Sequence, residues 1–198
     1  MTNALVIIDV QESFRARPLW QAVSNPGIAA QVRRLAEAAR AAGDLVVWVL
    51  HAEPGSGGVF DPESGHVRVF AELEPRPGEP VITKTSHNAF TTTNLQQLLT
   101  ARGVRGLTVC GIRTEQCVET TTRVGSDLGY AVTFVTDATA TFPIPHHTAP
   151  AGQSLEELLA DPRTLAAEDV VARTEYVLAG RFATIATVGQ LTGELTGS

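Results

Sequence analysis

Six short apolar runs, separated by segments whose apolar residues recur at helical spacing, leave this chain few folds to choose from. The runs cover residues 4–10, 45–50, 81–83, 107–110, 131–136 and 182–188. Between the first two, Ile28, Val32, Leu35 and Ala39 mark one helical stripe, stopped by Gly43. A second helix is expected over 94–102, ended by Gly103. A third starts near Cys117, carries Val118, Thr121, Gly125 and Leu128 on one stripe, and ends at Gly129. A last helix over 168–178 precedes the final run. Such alternation predicts an α/β fold with three layers, a mainly parallel sheet covered by helices on both faces.

Two stretches break the pattern. Residues 52–80 are rich in Gly and Pro and carry Phe60, His66 and Phe70, and residues 142–162 hold Pro143, Pro145, Pro150 and Pro162. Long loops in a compact domain act as lids or binding loops, or else lie at the periphery or in oligomer contacts. The 198 residues, 43% hydrophobic, suffice for one substantial core and predict a single domain over 1–198. A net charge of −6, with Arg33-Arg34 as the only basic doublet, argues against a nucleic-acid partner. Two cysteines make no disulfide framework. The run at 4–8 follows the start without a charged leader and is too short to span a bilayer. A soluble, reducing, cytoplasmic setting without a membrane partner is the expectation.

Chemically capable residues fall at the carboxyl ends of three of these runs, where ligands bind in open α/β sheets. Asp9 closes the first run, Lys84 follows Val81-Ile82-Thr83, and Cys117 follows the fourth through Gly111 and a polar turn. Thr114 is placed to cap the helix that begins there, with Glu115 in its first turn. Backbone N–H groups and the dipole at such a terminus favour a thiolate at Cys117 and could hold an oxyanion. Each residue also has an ordinary explanation: Cys117 as a small packed hydrophobe, Asp9 as a turn aspartate, Lys84 as an exposed loop lysine. Cys110, inside an apolar run with no cap or turn beside it, reads as core. What raises the other three is their shared sheet edge. A thiol needs a base, which a buried Asp9 could supply, and Lys84 would stabilise the resulting charge.

These residues stand within motifs that resemble one family, the isochorismatase-like cysteine hydrolases, which include nicotinamidases, carbamoyl-amide hydrolases and isochorismatases. The likeness covers nearly the whole chain. It is carried by Leu5-Val6-Ile7-Ile8-Asp9-Val10-Gln11, by Lys84 with Ala89-Phe90, and by Gly111-Ile112-x-Thr114-x-x-Cys117-Val118-x-x-Thr121. Gly129-Tyr130-x-Val132 and Asp137-Ala138 follow. The resemblance implies a six-stranded, Rossmann-like parallel sheet and an Asp9–Lys84–Cys117 triad. It also implies a cis peptide between Ile112 and Arg113, with the backbone N–H groups of Arg113 and Cys117 as an oxyanion hole. Gln11, Phe14, Asn88, Phe90 and Ile112 are carried over as substrate-binding or pocket-supporting positions, Asn88 standing where the family often has Ser. Metal-binding nicotinamidases carry an Asp-x-His pair after the second strand. This chain has His51, Asp61 and His66 without that spacing, so no metal and no cofactor are expected. His146-His147 is placed at the surface.

The function expected is hydrolysis of a C–N bond in a small amide or carbamoyl compound through an acyl group on Cys117, by a homo-oligomer, dimer or tetramer. Vinyl-ether hydrolysis of the isochorismatase type and a catalytically idle binding or assembly module are the alternatives. Retention of the cysteine opposes the first, and retention of all three triad residues the second.

Overall fold

A computed structural model of the protein describes residues 2–193. Position 1 and positions 194–198 of the expected domain lie outside the described residues. The chain runs β1 (Thr2–Ile8), α1 (Glu12–Arg15), α2 (Ile28–Ala42), β2 (Leu45–His51), β3 (Val81–Lys84), α3 (Leu95–Ala101) and β4 (Val104–Ile112). It continues through α4 (Glu119–Asp127), β5 (Ala131–Ala140), α5 (Leu155–Ala160), α6 (Ala167–Leu178), β6 (Thr184–Ala186) and α7 (Val188–Thr192). The six strands form one sheet in the order β3-β2-β1-β4-β5-β6, and every pairing is parallel.

The unbroken apolar runs follow from burial on both faces. In β1, Leu5 and Ile7 enter a cluster with Ile28, Val32 and Leu35 of α2 and Val188 of α7. Ala4, Val6 and Ile8 point the other way, into a cluster with Leu95 and Leu99 of α3, Val118 and Leu178 of α6. Period-two alternation in a strand covered on both sides leaves no position for a polar residue. Each fully buried Val, Leu or Ile contributes about 1.5–3 kcal/mol. That sum offsets the several kcal/mol that each buried ion at the strand ends costs.

Three local expectations are corrected. The run at 182–188 is not one strand: Thr187 accepts a hydrogen bond from Gln190 N and its own N–H is taken by Gln190, a capping box that starts α7 after only three strand residues. The proline-rich stretch at 142–162 contains α5, started by a capping box of Ser154 and Glu157. Thr114 does not cap the helix of Cys117. Its hydroxyl donates to Thr139 Oγ1 at 2.9 Å, and the helix opens as a π turn, Thr114–Val118, with Val118 N donating to Arg113 O at 3.2 Å.

The sheet order has one consequence that matters most here. The chain steps outward from β1 to β2 and β3 on one side and from β4 to β6 on the other, so the order reverses between β1 and β4. In sheets of this kind the crevice at that reversal is the ligand site. Asp9 follows β1 and the Cys117 turn follows β4, so both stand at it. No helix among the described residues is long and apolar enough to cross a membrane.

Candidate active site

Beyond the strand ends, four adjacent elements deliver one group each. In sheet order these are Lys84 at the end of β3, His51 at the end of β2, Asp9 after β1 and Cys117 after β4. The Lys84 Nζ lies 2.8 Å from Asp9 Oδ2, 3.3 Å from Cys117 Sγ and 3.2 Å from His51 Nδ1. The ammonium thus hydrogen-bonds the sulfur and the imidazole and pairs ionically with Asp9, whose buried carboxylate oxygens have no hydrogen-bond partner among the described residues. Lys84 and Asp9 are wholly buried and Cys117 is nearly so. Asp9, Lys84 and Cys117 are thus brought together as expected from sequence.

Local backbone explains how the strand ends converge. Asp9 takes φ of 54°, in the left-handed region that Asp tolerates better than most residues, while its N–H donates to Val49 O at 2.8 Å. The chain therefore bends sharply while staying tied to β2. Gly111, with φ of 126°, lies against β1 so closely that a Cβ there would sit 1.9 Å from Ile8 O. Only glycine allows β4 to carry the Cys117 turn this near to Asp9. Thr121 then couples the two halves: its hydroxyl donates to Cys117 O at 2.7 Å and accepts from Ala89 N at 3.1 Å. The Ile112–Arg113 peptide is cis.

The charges set the resting protonation. Burial raises the Asp9 pKa, against the lowering influence of Lys84. The Cys117 thiol is pushed up to about 12, first by burial and then by the neighbouring Asp9 charge, with Lys84 opposing. Loss of water and a carboxylate neighbour thus work against the thiolate that the helix terminus is expected to favour. The resting cysteine is a thiol beside a base whose own pKa has moved upward. His51 is lowered, by burial first and then by Lys84, with Asp9 and Glu53 opposing. Neutral imidazole is also what the geometry requires, since Nδ1 must offer a lone pair to Lys84. The remaining Nε2–H then faces Glu53 Oε1 at 3.4 Å.

In sequence His51 stands out only as a possible metal ligand, because its place beside Lys84 depends on the sheet order. Gln11 holds it there. The Gln11 amide accepts from His51 N at 2.7 Å and donates to His51 O at 3.0 Å, with a further 2.9 Å bond to Ser13 Oγ. Gln11 therefore supports the site rather than presenting its amide to a substrate. Phe14 stands in an aromatic wall, edge-on to Phe60 at 5.1 Å and stacked on Phe142 at 6.0 Å, and Phe60 meets the His51 ring at 5.7 Å. Phe90 is not part of that wall. It stacks on Tyr130 at 6.1 Å in the cluster on the other face of the sheet. Asn88 accepts from the N–H groups of Phe90 and Thr91 within its own turn, and Ile112 is wholly buried in the α2-side core. Among the described residues no group of three or more His, Cys, Asp and Glu is placed to hold a metal.

A cavity of about 740 Å³ adjoins the Cys117 turn through Arg113 and Gln116 and is roofed by the segment from Pro143 to Leu158.

Comparison with known proteins gives the site its setting. The isochorismatase domain family matches residues 3–175. A crystal structure of an isochorismatase-family protein from Chromobacterium violaceum superposes with a TM-score of 0.84 at 28% identity, covering 98% of this chain and 93% of that one. A streptothricin hydrolase of Streptomyces noursei is 39% identical over 145 residues, 72% of this chain but only 56% of that enzyme. A ureidoacrylate amidohydrolase of Variovorax paradoxus is 29% identical over 69% of this chain and 68% of its own length. The chain belongs to the isochorismatase family, within the cysteine hydrolase superfamily, and is a hydrolase.

Proposed function

We propose that the protein hydrolyses a C–N bond of a small amide or carbamoyl compound, with Cys117 as nucleophile, Asp9 as proton carrier and Lys84 as the fixed positive charge between them. The observation that carries this is the buried Lys84 ammonium in contact with both the Asp9 carboxylate and the Cys117 sulfur. A buried Lys–Asp pair alone is a poor investment in stability. A buried pair that also faces a sulfur does chemistry that a salt bridge does not need.

Asp9 removes the Cys117 proton as the sulfur attacks the acyl carbon, so the negative charge passes from carboxylate to sulfur to the carbonyl oxygen. Lys84, 3.3 Å from the sulfur, stabilises the charge while it is on the thiolate. The backbone N–H groups of Arg113 and Cys117 are the donors assigned to the tetrahedral oxyanion, each worth on the order of 3 kcal/mol in comparable sites. Collapse expels the amine, which takes the proton held by Asp9. The same carboxylate then removes a proton from water, which attacks the thioester and frees Cys117. Proton transfer of this kind contributes about 10²–10⁴-fold. The two named relatives, a streptothricin hydrolase and an amidohydrolase, support C–N cleavage as the reaction class. Vinyl-ether hydrolysis needs only protonation and water addition and would leave Cys117 without a task.

Turnover of an amide library, followed by ammonia release and intact-mass spectrometry, tests this. An acyl adduct on Cys117 is expected. Efficient isochorismate hydrolysis with no adduct and an unimpaired Cys117→Ala variant would overturn it. The small-molecule substrate, homo-oligomeric assembly and cytoplasmic setting expected from sequence belong to the same proposal, and sedimentation of the purified protein tests the assembly.

A further inference from the structure

The cavity beside the Cys117 turn has a charge pattern at odds with the rest of the molecule. The chain as a whole carries −6, yet no Asp or Glu lines this cavity among the described residues, while Arg17 and Arg113 both do. Gln116, Gln153, Ser154, His146 and His147 add polar groups to walls otherwise built from Pro, Leu, Ile, Ala and Gly.

The two arginines are not equivalent. Arg113 is largely spent. One of its nitrogens pairs with Glu115 Oε1 at 3.1 Å and its guanidinium stands 5.3 Å from the Phe142 ring. Its Nε is buried without a hydrogen-bond partner. Arg17 has no carboxylate partner among the described residues, although it is half-buried just ahead of Pro18. It lies near enough to Arg113 that, after burial itself, its charge helps lower the Arg113 pKa. Two guanidinium groups of like charge placed together without enough carboxylates favour an anion from outside. Bulk repulsion from the net charge does not prevent this, because charges beyond about 10 Å are screened at ordinary salt.

We propose that this cavity is a subsite for the carboxylate of the substrate, with Arg17 as its main contact, so that the protein acts on small amides carrying an anionic group at the far end from the scissile bond. The inference rests on the amide-hydrolase reading and specifies its substrate class. Arg113 links the two parts physically. Its side chain lines the cavity, and its peptide opens the turn that carries Cys117. A planar guanidinium suits a carboxylate through paired N–H donors, and such a bond contributes more than a neutral one.

The test compares molecules of one size and different charge. Cys117 is labelled with iodoacetamide while protected by the half-amides succinamate or glutaramate, or by the neutral diamides succinamide or glutaramide. At least one half-amide is expected to protect at a concentration on the order of tenfold below its diamide. Arg17→Gln should bring the two within about twofold, and Arg17→Lys should restore part of the preference. Equal protection by both kinds, no protection by any of the four, or a preference that survives Arg17→Gln overturns the subsite. Succinate and glutarate, which have no amide, separate the two readings. If they protect in an Arg17-dependent way while no amide is hydrolysed, the anion subsite stands and the amidase reading falls. If amides are hydrolysed with kcat/KM indifferent to their charge and to Arg17, the amidase reading stands and the subsite falls.

Discussion

Cys110 and Cys117 stand seven positions apart along one strand and the turn that follows it. Both are free and both are buried. Burial raises the thiol pKa of each, and at Cys110 burial is the whole cause. At Cys117 a carboxylate and an ammonium act as well, in opposite directions. The difference between a structural and a chemical cysteine is therefore not exposure or resting acidity. It is whether a base stands ready to take the proton and a cation stands ready to receive the charge. Cys110 has neither, because it lies inside β4 among apolar side chains. Cys117 has both, because its turn emerges where four strand ends meet.

The sharpest way to break this contrast is to remove one sulfur at a time. Cys117→Ala should lower kcat by on the order of 10⁴-fold or more, since no other group near Asp9 can carry the acyl intermediate. Measurable turnover near the parent rate would end the nucleophile assignment. Asp9→Asn should come close to that loss. It should also slow iodoacetamide labelling of Cys117, because a thiol near pKa 12 reacts at neutral pH only with a base beside it. Unchanged labelling in Asp9→Asn would mean that the thiolate forms without Asp9.

Lys84→Met should cost about 10³-fold in kcat and move a limb of the pH profile. The sign follows from the site. Burial raises Asp9 and Lys84 is the largest influence lowering it, so removing Lys84 takes away the main opposition to burial and leaves only Cys117 and His51. The base must be ionised to accept the thiol proton, so the acid limb of kcat/KM is expected above the ordinary carboxylate range in the parent. In the variant it should shift to higher pH still. A limb that stays in place while kcat falls would show that Lys84 acts on the sulfur alone.

The positions of Asp9, Lys84 and Cys117 were legible because each follows an apolar run, and strand ends in a parallel sheet share one edge whatever their order. His51 was not legible as their neighbour. Its role depends on β2 lying between β3 and β1, a long-range fact that no window of sequence contains. Thr114 failed as a cap for a related reason: its cap-like position in sequence could not show that Thr139 of β5 would claim the hydroxyl. The early end of the final strand is encoded locally, since Thr187 and Gln190 have capping-box spacing. The apolar content of 182–188 hid it. Phe14 and Phe90 are both carried over by resemblance as pocket positions, but they pack on opposite faces of the sheet.

A smaller effect is expected at His51. Its Nδ1 accepts a Lys84 N–H bond, so it fixes the direction of the ammonium without touching the sulfur. His51→Ala should lower kcat about tenfold with little change in KM, in keeping with loss of one hydrogen bond to a charged group. His51→Gln, whose side-chain oxygen can accept the same bond, should recover part of the rate. A loss of the same size in both variants would mean that the ring is needed for its packing against Phe60 instead.

The smallest effect closes the comparison at the other cysteine. Cys110→Ala removes a sulfur that packs with Ile7 and Val135 and makes no polar contact. The cost should be that of a small cavity, about 1–2 kcal/mol, read as a lower urea midpoint with unchanged slope. Neither kcat nor the pH profile should move, because no charge near Asp9 has changed. Labelling of Cys117 should keep its rate as well. If activity instead falls with stability intact, strand β4 transmits more to the Cys117 turn than packing alone explains, and base and cation are not the whole difference between the two thiols.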